Sequence, residues 1–166
     1  ERKIPGMYDV IHLGFNYRMS ELHASIGIEQ LKKISFFLKK RFENYREISK
    51  QLNQVNLLTV LPATNNRLMS SHYCLCVLLN KSIVKHRLKI MSSLAKKGIG
   101  SSIYYPHPVP RLSYYKKKYA FNNKKYINAS RISDCSIALP VGPHLNKKDM
   151  RFIAENLIET IKNYSK

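Results

Sequence analysis

The sequence predicts an α/β fold of the α+β kind, in which a long helix leads into a small sheet covered by helices. Three observations carry this. Apolar residues from Leu22 to Leu52 recur at three- and four-residue steps. Three short strand-like runs stand at 72–79, 99–105 and 136–140. Helix-period segments follow each of them, at 83–97, 128–135 and from 146 onwards. A chain of 166 residues is long enough for one domain with a sizeable core, and it contains no internal repeat.

Residues 1–19 read as loop and extended chain. Ser20 is a suitable N-cap, and Glu21 follows in the first turn, where the helix dipole favours negative charge. The helix after it runs through Leu22, Ile26, Leu31, Ile34, Leu38, Phe42, Tyr45, Ile48 and Leu52. Such a length predicts a bend or a bridge between two bodies. Its first half is nearly apolar from Ala24 to Ile28, so it is expected to be buried more deeply than the second half, against another chain.

His72 to Leu79 reads as a buried strand. In the helix at 83–97, Val84, Leu88, Met91, Leu94 and Ala95 are expected to face inward, with Gly98 ending it in a left-handed cap. Ile99 to Tyr105 reads as a second strand. Pro106, Pro108 and Pro110 make a stiff extended loop behind it. The Tyr- and Lys-rich stretch at 114–126 is poorly periodic. Pro140 ends the third strand, and Asn146 caps a last helix that buries Met150, Ile153, Leu157, Ile158 and Ile161.

The formal net charge is +19, and no Asp or Glu occurs between Ile48 and Ser133. A nucleic-acid surface is one reading of this charge. Solvated lysines in a Lys-, Asn- and Ile-rich composition are another, and attraction of an anionic small substrate is a third. No zinc-finger spacing or RRM-type aromatic signature accompanies the charge, so a nucleic-acid partner is set behind the others. Cys74, Cys76 and Cys135 are odd in number and lack metal-pair spacing, which predicts reduced thiols and no metal site. No apolar run has membrane-spanning length and no signal peptide pattern precedes residue 20; the expected location is cytoplasmic. The chain starts at Glu1, as a piece of a longer protein would.

Four places could carry chemistry. Gly14-Phe15-Asn16-Tyr17-Arg18, just ahead of a helix start, is either a solvated loop or an anion site. His72-Tyr73 opens a strand. Tyr104-Tyr105-Pro106-His107-Pro108 resembles a binding loop held stiff by proline. The stretch at 138–145 reads as a structural turn. There is no P-loop, dinucleotide fingerprint or G-x-S-x-G elbow, and no carboxylate pair in a catalytic context.

The order of these motifs resembles one family. Gly14-Phe15-Asn16-Tyr17-Arg18-Met19-Ser20-Glu21 is similar to the G-x-N-Y-R-[ML]-[ST]-E/D signature of the DegT/StrS-type sugar aminotransferases. Gln30-Leu31 with Arg41, His72-Tyr73, Gly98-Ile99-Gly100 with Tyr104-Tyr105-Pro106, and Arg131-Ile132 with Leu139-Pro140 and Pro143-His144-Leu145 continue the match in order. Two departures stand out: Tyr104 occupies the usual His position of H-Y-P, and Pro110-Arg111 occupies the end of the loop where a His often stands, leaving His107 as a substitute.

The resemblance implies the C-terminal part of a fold type I transferase dependent on pyridoxal 5'-phosphate (PLP). Residues 1–30 would be the end of the large PLP-binding domain and the start of the linking helix, and residues 31–166 the small domain. The Schiff-base lysine would lie upstream, so no catalytic residue is expected in this chain. Asn16 and Arg18 would contact the cofactor, Asn16 reaching across a homodimer to the neighbour's phosphate. Tyr17, His72, Tyr104, Tyr105 and His107 would line the substrate site. The intact enzyme would move an amino group, commonly from glutamate, to a nucleotide-linked keto-sugar for polysaccharide or glycan precursor synthesis. The alternatives are a truncated non-catalytic remnant or partner protein and, behind it, the basic nucleic-acid-binding module.

Overall fold

Why the second half of the chain folds around a sheet is visible in its strand register. The computed structural model describes residues 14, 15, 17–63, 67–119 and 122–165. Three strands, β1 (Leu58–Val60), β2 (Leu75–Leu79) and β3 (Ser136–Leu139), form an antiparallel sheet in the order β1-β2-β3. The register pairs Leu58 with Leu79, Val60 with Val77, Val77 with Ile137 and Leu75 with Leu139. Paired residues share a face, so one face is uniformly aliphatic. Against it pack Ile48 and Leu52 of α2 (Ile34–Leu52), Ile90 and Leu94 of α3 (Arg87–Lys96), and Met150, Ile153, Leu157 and Ile161 of α6 (Lys147–Asn163). The other face carries Thr59, Leu78 and Ser136 in one row and Cys76, Ala138 and Ser102 in the next.

The long helix of the sequence reading is interrupted. Here α1 (Glu21–Leu31) ends before a turn at residues 32 and 33, and α2 starts at Ile34. Neither Lys32 nor Lys33 is a helix breaker, so no residue type marks the break. The chain divides into two compact units, Glu1–Ile34 and Ser35–Lys166. Ser20 caps α1 as expected, its Oγ accepting the His23 N–H at 3.3 Å. Within this chain α1 buries no residue, whereas α2 buries Asn44, Ile48, Ser49 and Leu52.

Two further expectations are corrected. Residues 99–105 contribute only the bridge between Ser102 and Ala138. In α3 the buried side is Ile90 and Leu94, and Leu88 points to solvent. The sequence reading also lacked β1, three residues long, and α4 (Ser113–Tyr119), a lysine- and tyrosine-rich helix with no buried residue. The last helix agrees closely. Asn146 accepts from the N–H groups of Lys148 and Asp149, and its own N–H donates to Asp149 Oδ2 at 2.8 Å, a reciprocal capping box. Gly98 has φ of 76°, the left-handed conformation expected after α3. Among the described residues no helix is long and apolar enough to cross a membrane.

Candidate functional site

A cavity of about 460 Å³ lies against part of this second face of the sheet. Ala138 and Ser102, side by side in register, line it there. Arg41 from α2, Tyr73 and Cys74 from the approach to β2, and Tyr104 from the proline-rich loop form walls. The turn at 140–144, with His144, closes another side.

The walls are held by specific contacts. The Arg41 guanidinium carbon is 5.9 Å from the Tyr73 ring centre, a cation–π arrangement. Arg41 Nε is buried and finds no hydrogen-bond partner among the described residues. The Tyr73 and Tyr104 rings are 6.1 Å apart, and Tyr104 is 5.7 Å from Tyr105. The neighbouring Tyr104 phenol raises the Tyr73 pKa above its ordinary 10.0, so Tyr73 remains a neutral donor at physiological pH. Asn44 is buried in α2, and its Nδ2 donates to the carbonyls of Gly142 at 2.9 Å and Leu145 at 3.1 Å. That pins the turn carrying His144. A Cβ at Gly142 would lie 2.6 Å from His144 Cε1, so a larger residue there would push the His144 ring aside. Among the described residues no Asp or Glu lines the cavity. One guanidinium, hydroxyls and an imidazole without carboxylates suit an anionic ligand.

The expected site residues separate into groups. Tyr104 lines the cavity and Tyr105 stands beside it, largely exposed. His107 lies at the other end of the loop, near Asp134, whose carboxylate Arg111 grips at 2.6 and 3.0 Å. That clamp holds the Asp134 carboxyl below its ordinary range. His72 is not brought to the cavity. It is 3% exposed, packs 4.6 Å from the Tyr45 ring and 5.3 Å from Phe42, and burial lowers its pKa. Its φ of 46° turns the chain so that Tyr73, the next residue, enters the cavity wall. In the first unit, Tyr17 and Arg18 are exposed, and the Phe15 and Tyr17 rings lie 5.9 Å apart. Asn16 lies outside the described residues. Arg41, Cys74 and His144 were not among the expected site residues. Arg41 was visible as a family-like position, but its aim depends on how α2 packs.

Among the described residues no group of three His, Cys, Asp or Glu is placed to hold a metal ion.

Comparison with known proteins agrees with this architecture. A transaminase for UDP-4-amino-4,6-dideoxy-N-acetyl-beta-L-altrosamine from Campylobacter jejuni is 27% identical over 158 residues, 95% of this chain and 41% of that protein. The Helicobacter pylori aminotransferase involved in the biosynthesis of pseudoaminic acid shares the fold, with a TM-score of 0.80 at 24% identity, over 98% of this chain and 43% of its own. A proposed sugar aminotransferase of Streptococcus pneumoniae, solved in its PLP form, gives a TM-score of 0.83 at 23% identity, over 96% of this chain and 40% of its own. The chain therefore spans about two-fifths of the length of these relatives. Residues 2–158 match the DegT/DnrJ/EryC1/StrS aminotransferase family, and the chain belongs to that family.

Proposed function

We propose that this chain is the C-terminal portion of a PLP-dependent aminotransferase that transfers an amino group, from glutamate, to a nucleotide-linked keto-sugar for glycan precursor synthesis. The observation that carries this reading is the carboxylate-free cavity walled by Arg41, Tyr73, Tyr104 and His144, in a chain matched to the family over residues 2–158. Bound PLP supplies the electron sink for the transfer. The described residues fit a share in its phosphate: Arg18 is exposed two residues ahead of Ser20, the cap of α1, so a cation and a positive helix end lie close in sequence. Asn16 and Arg18 hold that phosphate, Asn16 from the neighbouring subunit of a homodimer. Exposed apolar residues of α1, including Leu22 and Ile26, support a second copy or the rest of the enzyme as its cover.

Within the small domain, Arg41 takes an anionic group of the substrate, and the Tyr73 and Tyr104 hydroxyls orient it. Tyr105, Tyr17 and His107 extend the contact surface. His72 serves by turning the chain into Tyr73 rather than by touching the ligand. This chain alone does not transfer amino groups, and the protein works in the cytoplasm.

Two measurements test the reading. Titration calorimetry with a UDP-linked N-acetylhexosamine is expected to detect binding to the chain, with Arg41→Ala weakening it by about tenfold or more. Expression of the complete coding region that contains this chain, assayed with glutamate and a UDP-linked keto-sugar, is expected to yield the amino-sugar. No turnover, with no visible absorbance from protein-held PLP, would leave the chain a non-catalytic member of its family.

A further inference from the structure

Two thiols beside the cavity have no part in the function proposed above. Cys76 is the second residue of β2, and Cys74 stands just ahead of that strand, two residues before it. Their sulfurs stand 3.7 Å apart. Both are half-buried, and Cys74 lines the cavity wall, which gives a small solute a route to it. We infer that Cys74 and Cys76 form a dithiol modification site that a hydroperoxide oxidises to an intrachain disulfide.

The geometry allows the bond to close. Two residues of strand rise separate the Cα atoms by about 6.6 Å, inside the upper end of the range that disulfides span. Cys76 is fixed: its carbonyl accepts the Leu61 N–H at 2.9 Å, and its Cα pairs with Ala138. Cys74 precedes the first ladder pair, Leu75 with Leu139, so its backbone is outside the ladder and adjusts toward Cys76. A bond near the geometric limit is more readily reduced than a structural one, which makes the modification reversible.

The chemistry starts at Cys74. Either thiol can donate to the other across the 3.7 Å contact, and sharing one proton lowers the Cys74 pKa to about 7 and raises that of Cys76. The Cys74 thiolate attacks the terminal peroxide oxygen. The O–O bond breaks and, for hydrogen peroxide, hydroxide leaves and takes up a proton to become water. Cys76 then attacks the sulfenic sulfur, the S–S bond forms, and a second water departs with the Cys76 proton. Two thiols are oxidised and one peroxide is reduced to two waters.

The test uses the chain as it stands. It is reduced, desalted, treated with equimolar hydrogen peroxide and alkylated in denaturant. The expected result is a mass lower by two hydrogens and one reactive thiol remaining of three, with the tryptic peptide 68–81 unalkylated and the peptide carrying Cys135 alkylated. Cys135→Ser keeps the mass loss, whereas Cys74→Ser and Cys76→Ser each abolish it. The folded chain forms the bond at least about tenfold faster than the chain in urea, because the fold holds the sulfurs together. Oxygen atoms added to Cys74 while Cys76 remains alkylatable, bonds through Cys135 or between chains, or equal rates in urea would each overturn the inference. None of these results depends on sugar-nucleotide binding or amino transfer.

Discussion

Helices α1 and α6 are both rich in apolar residues, yet α1 buries no residue and α6 buries six. In α6, Met150, Ile153, Ala154, Leu157 and Ile161 fall within one side of the helix, and all five are buried. In α1, Leu22 and Ile26 lie on one side, and Ala24, Ile28 and Leu31 lie on the other. No orientation of α1 against a single surface covers both sets. A helix apolar on all sides is stable when something encloses it. A one-sided helix needs only the sheet it already has. Apolar content is therefore a poor guide to which helix belongs to a given core; the angular distribution decides.

The largest effect expected from this contrast comes from truncating the same kind of side chain in each helix. Leu157→Ala should cost about 2–5 kcal/mol in urea unfolding of the chain, while Ile26→Ala should change it by less than about 0.5 kcal/mol. An equal loss in both would mean that α1 is part of the same cooperative unit. Next in size is Asn44→Ala, which frees the half-buried carbonyls of Gly142 and Leu145 that lead into α6. A loss of about 1–3 kcal/mol is expected, together with movement of the His144 ring resonances in NMR spectra. The caps give a smaller and more pointed comparison. Asn146→Ala should lower the unfolding free energy by about 1 kcal/mol. Ser20→Ala should fray α1 by circular dichroism without moving the urea midpoint.

The smallest effect is electrostatic. Arg151 of α6 donates to Glu47 of α2 at 2.8 Å, and that hydrogen bond holds the Glu47 pKa below its ordinary 4.5. A depressed carboxyl contributes stability above its unfolded pKa and loses it as pH falls through the folded value. The wild type should therefore exceed Glu47→Gln in stability at neutral pH by a constant margin. The margin should shrink only as pH drops below about 4.5. A margin that persisted in acid would assign the effect to packing. In α1 the Glu29–Lys32 pair is local and exposed, so its loss should not alter the global midpoint.

Local signals were read well where the chemistry is local. Ser20, Gly98 and Asn146 act at helix ends through atoms within a few residues, and all three do what their side chains or backbone freedom suggest. Tyr104 was recognisable because prolines hold the loop behind it. The break at residues 32 and 33 had no such marker. The short β1 was missed because three residues cannot show a period, and it exists only because Leu58 and Val60 pair with β2. His72 drew attention as a polar residue at a strand start. Its burial against Phe42 and Tyr45 depends on a helix some thirty residues away in sequence, and the placement of Arg41, on that same helix, depends on how the helix packs on the sheet.

By itself, the sequence determined the α+β class, the caps, the aliphatic runs that become the sheet's inner face and, through motif order, the family. These depend on period, composition and neighbours along the chain. Only the tertiary structure decided that α1 stays uncovered in this chain, that residues 99–105 yield a single bridge, and that Arg41, Tyr73, Cys74 and His144 meet around one cavity. Such outcomes depend on which face of each element is buried. Burial is a property of the packed whole, settled by residues far apart in the chain, and no local window contains it.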